Sequence, residues 1–209
     1  RLRPDHPWGC KRPLFSNDYY PSFNRPNLEL VTDPIERVTK SGVVAGGHLR
    51  PVDTLILATG FKANRYLSVL DVTGRGGLRI QDAWKEGAQA YLGVTTAGFP
   101  NLFQLYGPNT NAGSIITMIE FQVDHVVALV KRIADEGLAC LDVRQDAMAV
   151  YNEEIQKGIA EVTVWQSSCN HYYASESGRI VTQYPHSMST FRRALASAPP
   201  DAYEARPLA

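Results

Sequence analysis

Three segments carry residue types and spacings that suit chemistry. The first is Gly9-Cys10-Lys11-Arg12-Pro13-Leu14, followed by Ser16-Asn17-Asp18-Tyr19-Tyr20. Lys11 and Arg12 are adjacent cations in an aromatic, proline-rich stretch. Arginine keeps its charge when desolvated and presents a planar fork of donors, so the pair suits a phosphate or a developing anion. Read alone, it is equally a solvated surface pair. The second is Asp53-Thr54-Leu55-Ile56-Leu57-Ala58-Thr59-Gly60-Phe61, where an apolar run ends in the small-residue turn Thr59-Gly60. Small residues let backbone or ligand approach closely, and ligands of α/β sheets sit at the carboxyl ends of strands. A buried strand that simply ends in a tight turn has the same pattern. The third runs over residues 101–119: a strand-like run, the loop Gly107-Pro108-Asn109-Thr110-Asn111-Ala112-Gly113, and a helix start. A helix N-terminus carries partial positive charge and favours an anionic or electron-rich group. The alternative is a polar connection with nothing bound.

The elements that must position these residues are legible to different degrees. Residues 1–25 hold five cations (Arg1, Arg3, Lys11, Arg12, Arg25) against Asp5 and Asp18, a net of +3, and their prolines forbid a long helix. Residues 27–31 alternate polar and apolar, which predicts a half-buried strand. Residues 35–38, Val43-Val44 and the run from His48 to Asp53, turned at Gly46-Gly47, predict a β-meander. Residues 54–58 are apolar without alternation, which suits a strand covered on both faces. A strand is expected over 101–106. From Ser114 to Glu136 the apolar residues Ile116, Ile119, Val123, Val126, Val127, Val130, Ile133 and Ala134 recur at three and four, the period of a helix. Ser114 or Asn111 would cap it and Gly137 would end it. A second helix is expected from about Asp142 to Ile159, with Ala147, Val150, Tyr151 and Ile155 on one face. Beyond Pro199 the tail is expected to fray.

Composition closes off other classes. The 209 residues carry 21 Lys plus Arg and 21 Asp plus Glu, so charge makes no case for nucleic acid or an anionic membrane. Cys10, Cys140 and Cys169 are too far apart for a zinc ligand pair, and so sparse a set suits a reducing cytoplasm. No metal site is expected, no apolar run is long enough to span a bilayer, and the first residues do not read as a signal peptide. The G-x-G-x-x-G, G-x-S-x-G, P-loop and H-E-x-x-H signatures are absent from the sequence.

Taken together, the segments resemble the C-terminal portion of Baeyer–Villiger-type flavin-containing monooxygenases. The matching pieces are Cys10-Lys11-Arg12-Pro13, Asn17-Asp18-Tyr19-Tyr20, Arg25-Pro26-Asn27, Asp53 through Phe61, Tyr91-Leu92-Gly93, Gly98-Phe99-Pro100-Asn101-Leu102-Phe103 and Gly107-Pro108-Asn109-Thr110-Asn111. They keep the family's order, and the combination is specific where each piece alone is weak. The resemblance implies an α/β fold, part of a flavoprotein with two dinucleotide-binding, Rossmann-like domains that is incomplete in this chain. It implies that residues 1–52 are the C-terminal remnant of the NADP-binding domain. Residues 53–209 would be the C-terminal part of the FAD-binding domain with a terminal tail. The implied reaction reduces FAD with NADPH, captures O2 as a flavin peroxide, and inserts one oxygen atom into a ketone to give an ester or lactone.

Within that resemblance Arg12 matches the active-site arginine, which would stabilise the anion by charge in a water-poor site. Lys11 would contact NADP. Thr59 and Gly60, and the loop Asn109, Thr110, Asn111 and Ala112 with Ser114 at the helix start, would contact the cofactors. His171 stands in Cys169-Asn170-His171-Tyr172, where the family tends to have a cofactor-facing tryptophan, so that contact departs from the pattern. The family's glycine fingerprints lie upstream of anything in this sequence. The implied partners are a small ketone, O2 and the missing N-terminal half of the same enzyme, with no nucleic acid and no membrane. Two alternatives stay open: a related flavin monooxygenase that oxidises nitrogen or sulfur, and a non-catalytic truncated chain that folds only with a partner.

Overall fold

A computed structural model describes residues 1–166 and 172–208. The chain divides into two compact units, Arg1–Phe61 and Lys62–Ala209.

In the first unit the proline-rich start is irregular apart from one turn of helix, α1 (Tyr19–Ser22). The meander forms as expected: β1 (Ile35–Thr39), β2 (Gly42–Ala45) and β3 (His48–Pro51) pair antiparallel in that order. Val38 faces Val43 and Val44 faces Leu49 across the ladders. Only β2 is largely buried, through Val44 and Ala45. Two expected strands do not form. Residues 28–31 join no sheet; Arg50 Nη1 donates to Glu29 Oε1 at 2.6 Å as the tie to β3. Residues 54–58, expected to be a strand covered on both faces, form no regular element and are exposed. Ile56 is 84% accessible. A doubly covered strand needs a neighbour at each edge and a layer on each face, and among the described residues none supplies them.

The second unit holds the core. Its elements are α2 (Ile80–Ala83), α3 (Ile115–Asp135), β4 (Leu138–Val143), α4 (Gln145–Glu161), α5 (Met188–Ala196) and β5 (Tyr203–Pro207). The long α3 packs on β4 and α5, and α4 adds to the same core. Met118 and Leu129 from α3, Ile155 and Ile159 from α4, and Phe191 and Leu195 from α5 are buried together. A smaller cluster gathers Ile80, Trp84, Phe99 and Val181.

The long helix starts at its Ser114 cap, whose Oγ accepts from Thr117 N, and ends at Gly137 with φ 61°, a backbone conformation glycine adopts freely. Its orientation corrects the expectation. The face turned inward carries Met118, Gln122 and Leu129, while the stripe Ile116, Val123, Val127 and Val130 points out, with Ile116 68% accessible. Helix α4 begins at Gln145 rather than Asp142, and buries Met148, Asn152 and Ile155 in place of the exposed Val150. Asp142 belongs to β4, where its buried carboxylate accepts from Arg75 Nη2 and from Gly98 N at 3.0 Å. The tail does not fray: residues 203–207 pair antiparallel with β4, Tyr203 opposite Val143. Residues 101–106 are not a strand either. Asn101 and Tyr106 both sit at positive φ, which breaks the extended run, although Asn101 pairs with Leu141 through main chain and side chain.

Both sheets are antiparallel. The described residues therefore form a mixed helix-and-sheet portion of a fold, without a completed parallel sheet. Cys10 is fully buried and disulfide-bonded, and Cys140 is a free thiol.

Candidate functional site

Residues 107–114 lead into the N-terminus of α3, and their conformation is fixed from beneath. Asn109 is buried at φ 56°, in the left-handed region that asparagine tolerates better than most residues. Its backbone N–H donates to Val181 O at 2.7 Å, and Nδ2 donates to the carbonyls of Ile180 and Gln183, each at 2.9 Å. Its Oδ1 is buried with no hydrogen-bond partner. Thr110, also buried, donates Oγ1–H to Gly107 O at 2.7 Å. Under it runs Gly93 at φ 64°, where a Cβ would stand 2.1 Å from Thr110 Cγ2. Neither the backbone angle nor the space accepts a larger residue.

Asn111 is half-buried and held on both sides. Its N–H donates to Thr182 O at 2.9 Å, its Oδ1 accepts from Tyr106 Oη at 2.8 Å, and its Nδ2 donates to Gln183 Oε1. Tyr106 is held in turn by Gln122, fully buried on α3. Gln122 Oε1 accepts from Tyr106 N at 2.7 Å, and Nε2 donates to Gly93 O at 3.1 Å. One glutamine thus ties the helix to the glycine turn and to the loop.

Beyond Asn111 the surface opens. Ala112 is half-buried, and Gly113, Ser114, Ile115 and Ile116 are exposed. Ser114 caps Thr117 N, while Ile115 and Ile116 bring first-turn N–H groups that a helix cannot satisfy internally. A fixed loop that ends in outward N–H donors, at the positive end of a 21-residue helix, suits the electron-rich edge of a flat ring.

Of the residues singled out from sequence, Asn109, Thr110, Asn111, Ala112 and Ser114 lie together in this loop. Asn109 and Thr110 are buried and shape it from below, whereas Asn111, Ala112 and Ser114 reach its surface. Lys11, Arg12, Thr59 and Gly60 lie in the first unit and are exposed, the first two directly after buried Cys10. His171 lies outside the described residues. Tyr106, Gln122 and Gln183 escaped the sequence reading. Gln122 left a trace, a polar residue four positions after Met118 on the inward face of a helix. Gln183 left none, because nothing in the sequence pairs it with Asn111.

No family model matches the chain. Curated relatives and solved structures do. A Baeyer–Villiger monooxygenase of Pseudomonas aeruginosa is 40% identical over 197 residues, covering 92% of this chain and 37% of the relative. An FAD-binding monooxygenase of Aspergillus niger is 35% identical over 201 residues, 93% of this chain and 33% of the relative. An oxidised steroid monooxygenase bound to NADP superposes with a TM-score of 0.87 at 29% identity, over 98% of this chain and 40% of that one. The chain corresponds to the C-terminal portion of a Baeyer–Villiger-type flavin monooxygenase. It spans between a third and two fifths of the length of these relatives. Among the described residues no cluster of three or more His, Cys, Asp or Glu could hold a metal, and no helix is long and apolar enough to cross a membrane.

Proposed function

We propose that this chain supplies part of an FAD- and NADPH-dependent monooxygenase that inserts one atom of O2 into a ketone to give an ester or lactone. The observation that carries the reading is 40% identity to a Baeyer–Villiger monooxygenase over 92% of this chain. Its residues fit the cofactors in part. The half-open loop and the outward N–H groups at Ile115 and Ile116 suit the edge of a flavin ring, and exposed Lys11 and Arg12 suit phosphate or a developing anion. The glycine-rich cradle for a pyrophosphate is not in this sequence. Bound FAD and NADPH would supply the redox chemistry.

The chain's own residues have narrower tasks. Arg12 would be the catalytic residue, holding negative charge near the reacting carbonyl oxygen and excluding a competing proton by its permanent cation. Lys11 would hold NADP. Asn111, Ala112 and Ser114 would face the flavin ring, Asn109 and Thr110 would keep their backbone in place, and Thr59, Gly60 and His171 would complete the cofactor contacts. On this reading residues 1–52 belong to the NADP-binding domain and 53–209 to the FAD-binding domain. The partner of the chain is the N-terminal half of the same enzyme. We place the enzyme in the cytoplasm, where NADPH is kept reduced.

The test has two arms. The purified 209-residue chain should bind no stoichiometric FAD, read by absorbance after gel filtration. A polypeptide that carries this chain behind the glycine fingerprints should consume NADPH with a ketone and yield the ester or lactone. Yellow protein from the chain alone would overturn the division of labour. N-oxide or sulfoxide formation with no ester from any ketone tried would replace the ketone reading with the heteroatom one.

A further inference from the structure

The second unit contains a cavity that the proposed chemistry does not use. It lies between α3, α5 and the turn before β5, and has a volume of about 400 Å³. Its walls are mainly apolar, with Phe121, Leu129, Leu195 and Pro199 among them. Its polar groups are few and unequal. His125 is engaged on its own side of the cavity: its Nε2 lies 3.1 Å from Tyr203 Oη, and its ring also hydrogen-bonds the Leu195 backbone. Arg132 is committed to Glu136 at 3.1 Å and to Pro200 O at 3.0 Å. Arg192 is different. Its guanidinium lies 5.5 Å from the centre of the Phe121 ring, and no carboxylate among the described residues pairs with it. Asp124 is the one acid in the wall, and no ion pair joins it to Arg192 among the described residues.

A mainly apolar cavity of this size with few polar groups, one of them an arginine outside any ion pair among the described residues, is the pattern of a small-ligand site. We propose that it binds a small amphipathic monoanion: a carboxylate on an apolar body, with the carboxylate on Arg192 and the body against Phe121, Leu129 and Leu195. Guanidinium takes a carboxylate through two parallel donors, and its stacking on Phe121 presets the orientation. The size of the cavity limits the body to about ten to fifteen heavy atoms by ordinary packing density. The site is independent of the flavin reading, because every residue in it lies in the second unit and none is assigned to a cofactor.

Decanoate is the probe, with decan-1-ol and decyltrimethylammonium as the neutral and cationic controls. All are titrated below micelle formation into the purified chain and followed by calorimetry. One decanoate should bind per chain, at least tenfold tighter than either control. Arg192→Gln should weaken decanoate at least tenfold and leave decan-1-ol within threefold, while Arg192→Lys should recover part of the loss. Decanoate that does not saturate, that binds no better than the alcohol, or that is indifferent to Arg192→Gln overturns the proposal. Loss of decanoate binding in a longer polypeptide carrying this chain overturns it too, since the cavity would then belong to another segment of that polypeptide.

Discussion

The two units of this chain use similar residues to opposite ends. In the second, aromatic and aliphatic side chains converge: Phe191 is fully buried, and its ring centroid lies 5.0 Å from that of Tyr184. In the first, Trp8, Leu14, Phe15, Leu57 and Phe61 stand in solvent, with Phe15 90% accessible. Apolar surface removed from water contributes about 25 cal/mol per Å², so side chains left outside contribute almost nothing to the stability of the unit that carries them. The second unit is therefore built to hold itself together. The first has the residues of a core without the arrangement of one, as expected of a portion whose neighbours lie elsewhere in a longer polypeptide.

Paired truncations sharpen that contrast most. Phe191→Ala should cost about 3–5 kcal/mol, the range for removing a fully buried aromatic ring. Phe15→Ala should fall within about 0.5 kcal/mol of the parent, as exposed substitutions do. Urea unfolding followed by near-ultraviolet circular dichroism would measure both. A Phe15 substitution as costly as the Phe191 one would break the comparison, because it would mean the first unit buries that ring in solution.

The same contrast explains what could be read from the sequence. The meander, the span of α3 and its Ser114 cap were legible because local signals decide them: short apolar runs about a turn at Gly46-Gly47, a helical period, and a serine before it. The face of α3 was not. Ile116, Val123, Val127 and Val130 make a better apolar stripe than Met118, Gln122 and Leu129, yet the second set faces the core. Periodicity reports that a face will be covered, not which molecule or segment covers it. Residues 54–58 failed for the same reason, since their composition suits a sheet this chain does not complete. The site divided similarly. The loop at 109–114 showed in its residue types, while the clasp of Tyr106 and Gln183 on Asn111 joins residues 72 apart in the case of Gln183 and depends on tertiary structure.

Acid should loosen the second unit from its end. Burial lowers the pKa of His125 below its usual value of 6.5. The unfolded chain therefore takes up a proton first as the pH falls. The stability held by neutral His125 is complete above about 6.5 and is lost progressively below it, until the folded form also protonates. Protonation places a charge on a desolvated ring beside Tyr203, so stability falls with the pH. Amide protection factors in β5, exchange rates corrected for their intrinsic pH dependence, should therefore fall between pH 6.5 and 5, and His125→Gln should flatten that dependence. An unchanged slope in the variant would assign the acid sensitivity to another group.

The smallest effect concerns the start of α3, where the self-supporting unit meets the candidate site. Ser114→Ala removes the oxygen that accepts from Thr117 N at 3.4 Å, a long bond, so the cost should lie near the low end of the capping range, about 0.5 kcal/mol. The loop before it is held separately, by Asn109 and Asn111 on residues 180–183, and should not move. Amide exchange should therefore rise at residues 115–118 and stay unchanged at 109–111. Increased exchange at both would mean that loop and helix start open as one, and the loop would then owe its shape to the helix cap rather than to the residues beneath it.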